Sequence, residues 1–157
     1  MASRIHHFKN FSMVKGDIKV NIRMERLSMQ YNRAQFYLDS QVMTDMVPLM
    51  PHNTGIFVDL TRQRSAAMAG TGKVCAATTV YGRYLYEGKV MVDKKTGKGP
   101  RNIPGVGLRF TPGAELKATD RDLTYSNPRA VPHWFDEAKH LHLKQWVKGV
   151  KKYAGGK

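Results

Sequence analysis

The chain has 157 residues, 41% of them hydrophobic, which fits one folded domain with its own core and excludes wholesale disorder. Its 26 lysines and arginines stand against 12 acidic residues, and a net charge of +14 directs it toward nucleic acid, an anionic membrane face or an acidic protein surface. No apolar run approaches the ~18 residues needed to cross a bilayer, residues 1–9 carry no apolar signal core, and the single cysteine, Cys75, excludes an intrachain disulfide.

Residues 1–13 show no clear period and read as an N-terminal arm ahead of one domain over residues 14–153. Ile18, Val20 and Ile22 alternate with Lys19 and Asn21, a short strand or extended lead-in. From residue 21 to residue 47 the period changes. Met24, Leu27, Tyr31, Ala34, Leu38, Val42 and Met46 follow at steps of three and four, one face of a helix about 40 Å long. That stripe is longer than a small sheet covers, so Met24, Met29 and Met43 are candidates for contact with a second subunit, methionine being easily repacked. Pro48 and Pro51 end the helix, and residues 52–55 are turn chemistry.

Strands are predicted over 55–60, 72–80, 81–86 and 89–92, with antiparallel hairpins as the economical pairing. On that reading Tyr84 and Tyr86 share one strand face, and Cys75 is an inert core residue of a buried strand. Residues 93–113, rich in Gly, Pro, Lys and Arg, read as a long basic loop or hairpin arm, and 116–124 as a further strand. A second helix starts at Pro132, with Asp136 and Glu137 at its N-terminal end and Lys144, Lys148, Lys151 and Lys152 toward the other. Trp134, Phe135 and Trp146 are expected to fix it to the sheet, with Tyr84 and Tyr86 as further core anchors. Residues 154–157 read as a free tail.

The chemistry-bearing motifs are sparse. Gly97-Lys98-Gly99 and Gly105-Val106-Gly107 lie in a loop rather than at a strand-to-helix turn, so neither is a phosphate-cradling motif. His133 and His140 are seven residues apart, about two helical turns, too far for one metal ion. Asp120 and Asp122 lack a third ligand and read as turn residues or partners of Arg121 and Arg129. No enzyme activity and no cofactor are expected. Lys89, Lys94, Lys95, Lys98 and Arg101 form one basic stretch and residues 139–152 another. Such residues neutralise phosphates without reading sequence, and the first stretch has no interleaved aromatics for base stacking.

Five segments in this order carry a family resemblance: Pro51-His52-Asn53-Thr54-Gly55, Val80-Tyr81-Gly82-Arg83-Tyr84-Leu85-Tyr86-Glu87-Gly88, Lys89-Val90-Met91-Val92-Asp93, Thr119-Asp120-Arg121-Asp122-Leu123-Thr124-Tyr125 and Pro132-His133-Trp134-Phe135-Asp136-Glu137-Ala138-Lys139. With them the chain, from about residue 21 to residue 152, resembles the tailed-phage minor capsid proteins of the head–tail joining (neck or tail-completion) family. The resemblance implies an α+β subunit with a long N-terminal helix, a small curved antiparallel sheet and a C-terminal helix. It implies a structural virion protein that forms a ring at the head–tail junction, beside head-completion or adaptor proteins and tail-tube proteins, with no catalytic residues to transfer. Lys89, Lys94, Lys95, Lys98 and Arg101 are then candidates for contact with a neighbouring subunit or the tail tube, and the last four are alternatively candidates for contact with the path of packaged double-stranded DNA. A tail-terminator ring is the alternative position, and a non-specific DNA-binding accessory protein the alternative function. No membrane is expected among its partners.

Overall fold

The computed structural model describes residues 6–52, 55–105 and 107–155, and the first regular element in it is a hairpin. Phe11–Lys15 (β1) and Ile18–Ile22 (β2) pair antiparallel across the two-residue loop Gly16-Asp17. Gly16 sits at φ +58°, a conformation cheap only for glycine and the one required at the first central position of a type II′ turn, whose twist matches the strands. β1 thus crosses the expected boundary between arm and domain. Residues 1–5 of that arm lie outside the described residues.

The long helix Glu25–Met46 (α1) starts four residues later than predicted, because Ile18–Ile22 is committed to the hairpin. Its buried side chains cluster in the C-terminal half, where Val42, Met43 and Met46 enter the core. A 3-10 turn over Val47–Leu49, carrying Pro48, ends it as expected.

Two predicted strand regions are helices. Residues 55–60 open α2 (Ile56–Met68), and 81–86 lie within α3 (Thr79–Glu87). The inward face of α2 is Val58, Thr61 and Ser65, at helical spacing but mostly polar, so a search for apolar periodicity passes over it. Thr61 donates its hydroxyl to the Phe57 carbonyl, and Ser65 Oγ bonds both the N–H and the C=O of Cys75. Residues 72–78 hold no strand. Cys75 is half-buried in that connection, its thiol directed at the Ala77 carbonyl, which corrects the buried-strand reading. Helix α3 ends on Gly88 at φ +67°, where a Cβ would lie 2.8 Å from the Pro132 ring, so the left-handed cap requires glycine twice over.

The predicted strands at 89–92 and 116–124 appear as Lys89–Asp93 (β3) and Leu116–Asp122 (β6), paired antiparallel. The basic stretch between them folds into a hairpin arm, Arg101–Ile103 (β4) against Gly107–Arg109 (β5). Trp134–Tyr153 (α4) closes the described chain, with Gly156 and Lys157 of the expected tail outside it. The class is α+β, with a long N-terminal helix and a C-terminal helix. Among the described residues, the antiparallel pairing is divided among three two-stranded ribbons.

Trp134 is fully buried at the junction of the helices, meeting Phe57 of α2 and Tyr86 of α3 edge-to-face and donating its Nε1–H to the Ala76 carbonyl at 2.9 Å. Trp146 donates to Asp45 of α1 at 2.6 Å. The tryptophans therefore fix α4 to other helices, where the sequence reading had them fix it to a sheet. Phe135 is half-buried against the same core. Asp39, buried on α1, accepts the N–H groups of Gly70 and Gly72, tying the end of α2 to the long helix. A buried carboxylate is tolerable there because its oxygens are bonded.

Candidate interaction surfaces

The first surface is the β1–β2 hairpin. Its register places Phe11 opposite Ile22, Met13 opposite Val20 and Lys15 opposite Ile18 on one face, and Ser12 opposite Asn21 and Val14 opposite Lys19 on the other. One face is thus apolar in five of six positions and the other mostly polar. Every side chain of both strands is exposed, and on the apolar face exposure runs from 37% at Val20 to 68% at Ile18. An amphipathic hairpin normally turns its apolar face onto a core. Among the described residues nothing covers it.

The base of the hairpin is nonetheless anchored. Met24 donates its N–H to Asn10 Oδ1 at 2.8 Å, Phe8 donates to Ser28 Oγ at 2.9 Å, and the Asn32 amide bonds the His6 carbonyl. The Phe8 ring meets Tyr31 edge-on. Residues 6–10 therefore lie along the first turns of α1 and hold the hairpin at a defined place. The sequence signal for it was the Gly16-Asp17 dipeptide between Val14 and Ile18, a two-residue hairpin loop.

The second surface is a cleft of about 630 Å³ beside α1 and the end of α4, lined by Met29, Phe36, Tyr37 and Tyr153 together with Asn32, Arg33 and Ser40. Tyr37 and Tyr153 stack at 4.7 Å. Of the methionines predicted to meet another subunit, Met29 is 47% exposed and lines this cleft, and Met24 is half-buried at the hairpin's root. Met43 is a correction: at 6% exposure it belongs to the core, on the side of α1 that faces α4 and α2.

The third surface is the basic arm. Lys89 forms an ion pair with Asp122 across β3–β6, and Lys94 approaches Glu115 at 3.4 Å. Asp122, expected to pair with a nearby arginine, thus takes Lys89 instead. Surface pairs of this kind contribute little, so Lys94 remains able to exchange partners. Lys95, Lys98 and Arg101 have no carboxylate within ion-pair distance among the described residues. Sequence reasoning missed Arg109, which β-pairing sets directly opposite Arg101. Among the described residues no group of three or more His, Cys, Asp or Glu side chains is arranged to hold a metal ion, and no helix is long and apolar enough to cross a membrane.

The predicted anchors Tyr84 and Tyr86 lie on α3, where helical rather than strand geometry sets their directions. Tyr84 donates its hydroxyl to the Leu116 carbonyl at 3.1 Å, tying α3 to β6. Tyr86 packs on Trp134 and His133 and donates to Asp136 at 3.2 Å. Burial, with the neighbouring Asp136 carboxylate, pushes the Tyr86 hydroxyl from 10.0 up to about 12. The folded state therefore holds this proton more tightly than the unfolded chain does. Its contribution is complete below about pH 10 and is lost as the pH rises through about 12. Burial raises Tyr125 in the same direction. Urea midpoints measured at increasing alkaline pH are expected to fall more steeply for the wild type than for Tyr86→Phe, and equal slopes would show that the hydroxyl adds nothing.

No family model, curated protein or solved structure matches the chain.

Proposed function

We propose that this chain is a structural virion subunit of a tailed phage, working in a ring at the junction of head and tail. The observation that carries the reading is the anchored hairpin with its apolar face uncovered. A two-stranded hairpin on its own is at best marginally stable in water, so this one is completed by contact with something else. The same subunit also carries an apolar cleft at Met29, Phe36, Tyr37 and Tyr153. Two different uncovered apolar surfaces on one chain are what a head-to-tail contact between copies needs, and such a contact leaves no surface unsatisfied when the ring closes. The location in this reading rests on the resemblance of the segments between residues 51 and 139 to head–tail joining proteins. Neighbouring head-completion and tail-tube proteins are the further partners of this reading, and the virion is its localisation.

The test is made in the particle. Phage assembled without this chain are expected to accumulate DNA-filled heads and separate tails, and images of complete particles to show a ring of its density at the junction. The height of that ring distinguishes a neck component from a tail terminator. Joined, infectious particles that lack the chain would overturn the proposal.

A further inference from the structure

Between the turn that follows β3 and the β4–β5 hairpin lies a cleft of about 260 Å³ whose lining includes Asp93, Thr96, Lys98, Arg101, Arg109 and Thr111. Three cations converge on it. Arg101 and Arg109 are direct cross-strand partners, and like charges in that relation destabilise a ribbon. No carboxylate lies within ion-pair distance of either arginine among the described residues. Asp93, the one acid in the lining, is directed at its own turn, its Oδ1 accepting the N–H groups of Lys95 and Thr96. Arg101 is steadied by donating to Thr111 Oγ1 at 2.8 Å, which leaves the rest of its guanidinium fork free.

From this arrangement we infer that the cleft binds the phosphodiester backbone of nucleic acid, with Arg101 and Arg109 as the principal phosphate ligands, Lys98 as a third cation, and Thr96 and Thr111 as hydroxyl donors. Two opposed arginines with no anion between them are a liability in the free subunit and a clamp once a phosphate enters, because the guanidinium fork matches phosphate oxygens bidentately. Lys95 is exposed close by in sequence and Lys94 is held only by its exposed pair with Glu115, which favours a repeating anion as ligand over one carboxylate. A two-stranded ribbon is also narrow enough to lie in the major groove of a duplex. Contacts of this kind fix position and do not read sequence. The inference does not rest on the ring reading, since the cleft lies within one subunit.

The full-length protein is titrated onto a short fluorescently labelled duplex of mixed sequence, across about 50 to 200 mM salt. Arg101→Gln/Arg109→Gln is expected to weaken binding at least tenfold at about 100 mM salt and to lower the log–log salt slope by about 2, close to one for each phosphate no longer neutralised. The comparison variant Arg62→Gln/Arg64→Gln removes the same charge from exposed positions of α2 and is expected to leave the slope as it is. Removing the opposed arginines should leave the thermal midpoint unchanged or raise it, so that loss of binding is not loss of fold. Equal losses in the two variants would reduce the effect to bulk charge and overturn the inference. So would the absence of binding at the lowest salt. Displacement of the duplex by polyglutamate at equal charge concentration would overturn it in favour of an acidic protein surface. If duplex binding behaves as expected while particles join without the chain, the cleft stands and the junction reading falls.

Discussion

Trp134→Ala is expected to destabilise the protein by about 3–5 kcal/mol, a large share of the roughly 5–15 kcal/mol that holds a domain together. The indole is fully buried and lies where α1, α2, α3 and α4 converge. Its removal opens a cavity whose walls include Phe57 and Tyr86, which belong to different elements, so no single side-chain rotation refills it. It also leaves the Ala76 carbonyl without its donor, a separate cost of about 1–3 kcal/mol where no water reaches the group. Trp134→Phe shifts the balance between the two contributions, since it removes the N–H completely but only part of the ring volume. It is expected to fall between the wild type and the alanine variant in urea denaturation. Phe135→Ala, at a half-buried position one residue on, is expected to cost less than Trp134→Ala. Equal losses at the two positions would show that helix α4 is held by its start as a whole and that Trp134 has no special place in the core.

How much of this was legible beforehand depends on which face of each element carries apolar side chains. Helices α1 and α4 were readable because their inward positions, such as Val42 and Met46 or Trp134 and Ala138, are large or apolar at helical spacing. Helix α2 was not. Its inward face includes Thr61 and Ser65, whose burial is made acceptable by hydrogen bonds to Phe57, Thr78 and Cys75 that no sequence displays. The outward Ile56 and Leu60 then read as part of an apolar strand. Helix α3 misled for a related reason, since tyrosine and valine favour strands in isolation and tertiary contacts override that preference. Its terminal Gly88 was visible, but a glycine after Glu87 reads equally well as a hairpin turn or as a helix cap. Among candidate site residues, Lys98 and Arg101 were legible from composition alone. Arg109 was not, because only the β4–β5 register brings it opposite Arg101. Met43 was read as a contact candidate because the stripe of α1 exceeds what a small sheet covers, whereas packing against α4 and α2 draws that residue into the core.

Replacing Met13 and Val20 by threonine is expected to weaken self-association enough to leave monomers at concentrations where the wild type associates, while leaving the fold of each subunit intact. The two residues face each other at the centre of the hairpin's apolar side, and threonine keeps strand preference while adding a hydroxyl. Burying one such side chain is worth about 1.5–3 kcal/mol, so losing much of two in an interface costs about 3 kcal/mol, on the order of a hundredfold in the dissociation constant. In the separate subunit both side chains are already exposed, and substitutions of that kind change stability by about 0.5 kcal/mol or less. Sedimentation equilibrium beside thermal unfolding therefore separates an interface from an internal contact, because only an internal contact would lower the subunit's own stability. Val14→Thr on the opposite face is expected to change neither measurement. Salt supplies an independent sign. Subunits of net charge +14 repel one another, so screening favours their association, whereas the same screening weakens attachment to DNA. Oligomers that strengthen with salt and weaken in Met13→Thr/Val20→Thr would identify the hairpin's apolar face as the surface that joins one copy to the next. A wild-type chain that stays monomeric at every concentration and salt would remove the ring from the account.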